Sequence, residues 1–236
     1  LEKLTANEAV LEERHLYQAA AEAAQGAVDG REAKRLAETM KLVAVEIADP
    51  VTGKSYFTTR ELIAAERSVL QTARDRTLDA RHQLDPTTVE RAIARMEATR
   101  SRGGAPFELR EEQRTAVHAL TTQRGATAAL VGDAGTGKST ALEAVRMAYE
   151  QQGFRVLGAA LAGKAAAELQ SGAGIDSCTI DRLLIDIENG RAQLDRKTVL
   201  VIDEAAMVDS RKMARITELA RDSGAKLILA GDHKQL

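Results

Sequence analysis

The stretch Val131-Gly-Asp-Ala-Gly-Thr-Gly-Lys-Ser-Thr140 follows the apolar run Ala128-Ala-Leu-Val131 and leads into Ala141-Leu-Glu-Ala-Val145. From Gly132 to Ser139 it fits G-x-x-x-x-G-K-[ST], the pattern of a phosphate loop. A strand, a glycine-rich turn with inward N–H groups and a helix opening toward that turn make a cradle for phosphate oxygens. The letters TGKS occur a second time, at 52–55. There the position five before Gly53 is Ala48, Pro50 intervenes, and Tyr56-Phe57 stands where a helix should begin, so this copy reads as a hairpin turn. A third near-match, Ala162-Gly-Lys-Ala165, lacks both the early glycine and the hydroxyl.

A phosphate loop alone can arise by chance, so its chemical partners matter. Thr198-Val-Leu-Val-Ile-Asp-Glu204 is an apolar strand ending in two carboxylates, about 60 residues downstream, where a magnesium-organising acid belongs. The adjacent acids suit separate jobs: Asp203 holds Mg²⁺ through its water shell, and Glu204 orients and deprotonates an attacking water. That division predicts hydrolysis of ATP rather than storage.

Beyond residue 106, apolar runs at 126–131, 154–160, 198–202 and 226–230 alternate with helical segments near 111–123, 138–151, 163–170, 179–188 and 209–222. Such alternation predicts an α/β fold, a parallel sheet with helices on both faces and the phosphate-loop strand at its centre. Residues 1–105 read differently. Thr5-Ala-Asn-Glu8 and Thr58-Thr-Arg-Glu61 are capping boxes, and two short helices break near Gly26 and Gly30. Leu42–Ile47 and Ser55–Thr58 flank turn chemistry as a hairpin. A long helix then runs to about Leu84, and Pro86 opens another with Val89, Ile93 and Met96 on one face. Ser101-Arg-Gly-Gly-Ala-Pro106 is the expected boundary between a mostly helical module, 1–105, and the α/β domain, 106–236.

Composition narrows the classes. With 236 residues, 44% of them hydrophobic, the chain can bury a sizeable core. Residues 1–105 carry 16 basic against 17 acidic side chains, leaving 17 against 18 beyond, so any DNA contact must come from a local groove. Three tyrosines, three phenylalanines and no tryptophan leave few stacking platforms. Cys178 alone excludes a disulfide framework, which suits a reducing cytoplasm, and reads as a packing residue. No apolar run approaches the roughly 20 residues of a membrane span. His15, His82, His118 and His233 show no metal-ligand spacing. The chain starts without methionine and stops just after a strand-like run, as a piece of something longer would.

Taken in order, Leu109–Arg114, Leu130–Thr140, Val201–Asp209 and Leu229–Leu236 resemble the motifs of the first, RecA-like motor domain of superfamily 1 helicases, in the RecD-like branch. Gly158–Leu169, Leu4–Val10 and Tyr56–Leu62 further resemble the helicase portion of conjugative relaxases of the TraA or TraI kind. This resemblance implies ATP and Mg²⁺ as cofactors, single-stranded DNA and other conjugation proteins as partners, and 5′-to-3′ translocation. By motif, it implies that Gln113 reads the adenine edge and that the backbone of Asp133, Ala134, Gly135, Thr136 and Gly137 wraps the β-phosphate. Lys138 then neutralises the β/γ oxygens, Ser139 ligates Mg²⁺ beside Thr140, and Gln235 senses the γ-phosphate. Ala162, Gly163, Lys164 and Thr179 fall at the family's DNA contacts. RecD-type sequences have Pro-Thr where Leu161-Ala162 stands here, so one hydroxyl contact is missing and Lys164 with backbone amides must serve. Two alternatives remain: a RecD-like recombination or repair helicase, and a nucleotide-gated docking module without motor activity.

Overall fold

A computed structural model describes residues 10–23, 30–49, 52–101, 105–133 and 135–232. The capping box at 5–8, the break near Gly26, Ala134 and Gln235 lie outside them. The chain packs as two compact units, Leu1–Leu70 with Asp209–Ala214, and Gln71–Val208 with Arg215–Leu236.

The first unit carries helices α1 (Glu13–Ala23) and α2 (Gly30–Val43) and a small antiparallel sheet. Its strands β1 (Leu11–Glu12), β2 (Val45–Ala48) and β3 (Ser55–Thr58) lie in the order β1-β3-β2. Leu11, Leu16 and Phe57 form its core. The TGKS copy at 52–55 is the turn of the β2–β3 hairpin: Asp49 N donates to Lys54 O at 2.8 Å, and Gly53 N donates to Asp49 O at 2.9 Å. Helix α2 runs to Val43, so the strand expected from Leu42 begins only at Val45. Thr59 Oγ1 accepts from Leu62 N at 3.2 Å, capping α3 (Arg60–Asp75).

The second unit is a five-stranded parallel sheet of β4 (Thr127–Val131), β5 (Arg155–Ala160), β6 (Asp176–Thr179), β7 (Thr198–Asp203) and β8 (Lys226–Gly231), ordered β4-β8-β7-β5-β6. Its helices are α4 (Pro86–Ser101), α5 (Glu111–Thr122), α6 (Lys138–Gln151), α7 (Gly163–Ala173), α8 (Ile180–Glu188) and, from Arg215 on, α9 (Ser210–Ser223). Side chains alternate across a strand, and β7 shows both faces in use. Val199 and Val201 pack with Val89, Ile93, Met96, Val117, Val145 and Tyr149, whereas Leu200 and Ile202 pack with Ile180, Leu183, Ile216 and Ala220. Cys178 on β6 packs against the second of these cores, and burial pushes its thiol pKa up.

Sequence alone puts the phosphate-loop strand at the centre of this sheet and misses β6. In the structure β4 is an outer strand among the described residues, bonded to β8. Residues 71–101, assigned by sequence to the N-terminal module, belong to the second unit. Helix α3 ends at Asp75 rather than near Leu84, and the following loop bonds to the segments that lead into β4 and β8. Arg76 donates to Ala220 O at 3.1 Å and Ala225 O at 2.7 Å, and Gly125 N donates to Asp79 O at 2.8 Å.

Candidate nucleotide site and nucleic-acid face

Parallel strands end at one edge of their sheet, and three adjacent ends gather the site here. Val131 pairs with Gly231, and Ile202 pairs with Leu229, so β4, β8 and β7 deliver residues 132–133 and 135–139, 232 and 203–204 to the same edge. With neighbouring strands about 4.8 Å apart, the outer two lie roughly 10 Å from each other. Gly132 N donates to Gly231 O at 3.2 Å, tying the start of the loop to the end of β8.

Helix α6 begins at the phosphate loop. Its N-cap Gly137 has φ 86°, a left-handed conformation natural to glycine, and supplies no capping side chain. The first-turn N–H groups of α6 lack intrahelical partners, and the helix dipole favours an anion there. Thr136 Oγ1 donates to Asp133 O at 2.8 Å and closes the loop on itself. Lys138 Nζ donates to Gly132 O at 2.5 Å and Asp133 O at 3.1 Å, so its ammonium is folded back onto the loop. Gly135 and Thr136 are exposed, Ser139 and Thr140 half-buried.

Gln113 is held by the loop. Its Nε2 donates to Thr136 O at 3.2 Å and Gly137 O at 3.4 Å, while its Oε1 accepts from Arg110 N at 3.1 Å. A Cβ at position 137 would meet Nε2 at 2.0 Å, so the glycine also makes room for this contact. The carboxamide that sequence assigns to adenine spends both ends on protein backbone.

Asp203 closes β7, and its Oδ1 accepts from Glu204 N at 2.9 Å. Glu204 has φ 52° and ψ 35°, and among the described residues it is the one non-glycine with positive φ. Residues forced into such conformations cost about 1–3 kcal/mol and cluster at functional sites. A 3-10 turn, Ala205–Met207, follows at once and holds the bend. Asp232, to which sequence gave no role, is buried where β8 ends.

The donor set fits a hard cation. Ser139 Oγ makes no hydrogen bond to a described residue, and Asp203 keeps a carboxylate oxygen beyond the one that accepts from Glu204. Hydroxyl and carboxylate oxygens completed by water and phosphate match the habit of Mg²⁺. No cluster of three or more His, Cys, Asp or Glu capable of holding a metal exists among the described residues.

The residues implied at DNA also come together. Ala160 pairs with Thr179, so α7 and α8 open side by side. The N-cap of α7, Ala162, is extended and offers no side-chain cap, whereas Thr179 Oγ1 accepts from Arg182 N at 3.2 Å. A Cβ on Gly163 would stand 4.0 Å from Thr179 Cγ2. Lys164 is exposed, 3.8 Å from Glu168. Two adjacent helix N-termini with an exposed lysine suit a phosphodiester better than a base. No helix among the described residues is long and apolar enough to cross a membrane.

Comparison with known proteins agrees with this architecture. Residues 108–236 match the family model described as an AAA domain. The probable conjugal transfer protein TraA of Sinorhizobium fredii is 41% identical over 193 residues, 81% of this chain and 16% of that protein. The conjugal transfer protein TraA of Agrobacterium fabrum is 40% identical over 183 residues, 76% of this chain and 16% of that protein. The RecBCD enzyme subunit RecD of Mycobacterium tuberculosis is 34% identical over 154 residues, 53% of this chain and 26% of that protein. The chain thus spans 16% of the length of each TraA relative. With the family model covering more than half of its residues, the chain belongs to the AAA domain family.

Proposed function

We propose that this chain is the ATP-binding first motor domain of a DNA helicase serving conjugative transfer, with Mg²⁺ as its metal and single-stranded DNA as its track. The observation that carries it is the meeting of an uncapped α6 N-terminus with a carboxylate pair whose second member, Glu204, is held in left-handed backbone. The phosphate loop takes the β-phosphate on its N–H groups, and Lys138 exchanges its bonds to Gly132 O and Asp133 O for phosphate oxygens. Ser139 and Asp203 would hold Mg²⁺, which would supply neutralisation of phosphate charge when bound. Glu204, held in place by its backbone, orients a water and takes its proton. Gln235 is the proposed γ-phosphate sensor; it lies outside the described residues. Ala162, Gly163, Lys164 and Thr179 face the DNA backbone.

Conjugation is favoured over recombination because the TraA proteins match more of this chain, at higher identity, than RecD does. Family resemblance places further catalytic arginines in a second motor domain, so the 236 residues alone should bind ATP and turn it over slowly. The test is DNA-stimulated ATP hydrolysis by a longer protein that contains this chain and a second motor domain, with Lys138→Ala and Glu204→Gln as controls. Stimulation lost in both variants supports the motor; turnover indifferent to DNA points to a docking module instead.

A further inference from the structure

Helix α7 is alanine-rich and carries a glycine, Gly172, one residue before its end. Glycine inside a helix costs about 0.5–1 kcal/mol relative to alanine, so its presence calls for a packing reason. A Cβ built on Gly172 lies 3.1 Å from Ser139 Cβ and 3.4 Å from Ser139 Oγ. The missing methyl is therefore what allows α7 to pass directly over the serine that follows Lys138.

Nor can α7 easily retreat. Arg146, two helical turns beyond Ser139 on α6, donates from Nε to Ala173 O at 2.9 Å, and its guanidinium lies 3.1 Å from a Cβ built on Gly174. Leu169 and Ala173 are buried in the same core as Leu142 and Val145. An atom added at position 172 must therefore displace Ser139 rather than the helix that carries it.

We infer that Gly172 is a positioning residue for the metal-binding hydroxyl of Ser139, setting its distance to the nucleotide-bound cation through the close passage of α7. This rests on the proposed role of Ser139 as a magnesium ligand. Metal ligation by Mg²⁺ demands near-ideal octahedral geometry at short distances, so a displacement of a few tenths of an ångström matters to the cation and little to the loop amides. The effect should fall on the magnesium-dependent part of ATP binding.

Calorimetry of this chain with ATP, in EDTA and in excess MgCl₂, measures that part as the ratio of the two dissociation constants. Gly172→Ala should shrink the ratio at least fivefold while the affinity in EDTA stays within twofold of wild type and the melting temperature does not fall. Gly172→Val should shrink it further, and Ser171→Ala, an exposed neighbour that also raises helix propensity, should leave it unchanged. A wild-type ratio retained in both Gly172 variants overturns the inference, as does an equal loss in EDTA and in magnesium. If the wild-type chain binds no ATP in either condition, the proposed function falls and takes this inference with it. That outcome is read from wild type alone.

Discussion

Gln113 Nε2 lies 3.2 Å from the carbonyl oxygen of Thr136, so the side chain assigned by motif to adenine is bonded instead to the loop that cradles phosphate. Its Oε1 is spent on Arg110 N, at the N-terminus of its own helix. A residue that braces the loop serves every nucleoside triphosphate alike. Gln113→Ala should therefore weaken ATP and GTP binding together, by about fivefold to tenfold if two modest hydrogen bonds are lost, with their ratio held within twofold. Selective loss of ATP in a competition assay would return Gln113 to adenine reading.

Glu204 carries a second prediction because its backbone and side chain pull in opposite directions. Its φ of 52° is strained for a side chain bearing a Cβ and free for glycine. Glu204→Gly should raise unfolding stability by up to about 1 kcal/mol while removing the proposed base. Glu204→Gln should keep the strain and lose turnover with ATP binding intact. Thermal melts and single-turnover hydrolysis in the longer protein check both; stability falling in Glu204→Gly would show that the bend is not strained.

The contrast between Gly132–Thr140 and Asp176–Thr179 explains what the sequence could reveal. A phosphate cradle is local: the strand, turn and helix that build it are contiguous, so the letters from 128 to 145 carry the whole device. Asp203-Glu204 is legible for the same reason, as an apolar strand with acids at its tip. Strand β6, Asp176-Ser-Cys-Thr179, has no apolar run to announce it and exists because β5 offers a parallel partner. The outer place of β4 depends on which strands pair, a nonlocal property. Loop 76–84 joins the second unit through backbone carbonyls of Ala220 and Ala225, which no residue pattern records. Gly172 falls beyond the helix that sequence expects at 163–170, and its reason is a serine 33 positions earlier in the chain.

Arg76 supports that loop from within. Its guanidinium is buried, donates to Ala220 O and Ala225 O, and lies 3.6 Å from Asp79. Removing this buried charged donor strips two carbonyls of their bonds to it, while Asp79 keeps Arg81, a loss of about 2–4 kcal/mol. Arg76→Met should lower the denaturant midpoint accordingly, and Arg76→Lys should recover little, because one ammonium cannot reproduce the planar fork. Unchanged midpoints would mean that the loop is not anchored here.

His82 gives the second unit an acid-sensitive point. The ring is fully buried, neither nitrogen has a hydrogen-bond partner, and it packs tilted by 46° against Phe154, 5.5 Å between ring centres. Burial, and then the nearby Lys226 ammonium, push its pKa down to about 4. The unfolded chain protonates near 6.5 and the folded one only near 4, so below pH 6.5 the unfolded state binds more protons and stability falls as pH falls. Between pH 7 and pH 4 this one group should remove roughly 3 kcal/mol. His82→Leu should remove that part of the pH dependence, measured as the difference between the two unfolding curves at each pH. Parallel curves would show that the imidazole is solvated in the native state.

On the nucleic-acid face, Lys164 and Thr179 should fail in different ways. Lys164 is exposed beside the uncapped start of α7, and its ammonium can exchange the exposed Glu168 carboxylate, 3.8 Å away, for one phosphate of a single strand. Each such contact contributes about 0.7 to the slope of log affinity against log salt. Lys164→Ala should therefore weaken binding of an oligo-dT strand by this chain and flatten that slope by about this amount, equally for other base sequences. The Thr179 hydroxyl already accepts from Arg182 N and caps α8. Thr179→Val should then cost about 1 kcal/mol of stability and leave the salt slope unchanged. A flattened slope in Thr179→Val would mean that the hydroxyl leaves its cap for phosphate when DNA is present, and a slope unmoved in Lys164→Ala would remove α7 from the DNA contact.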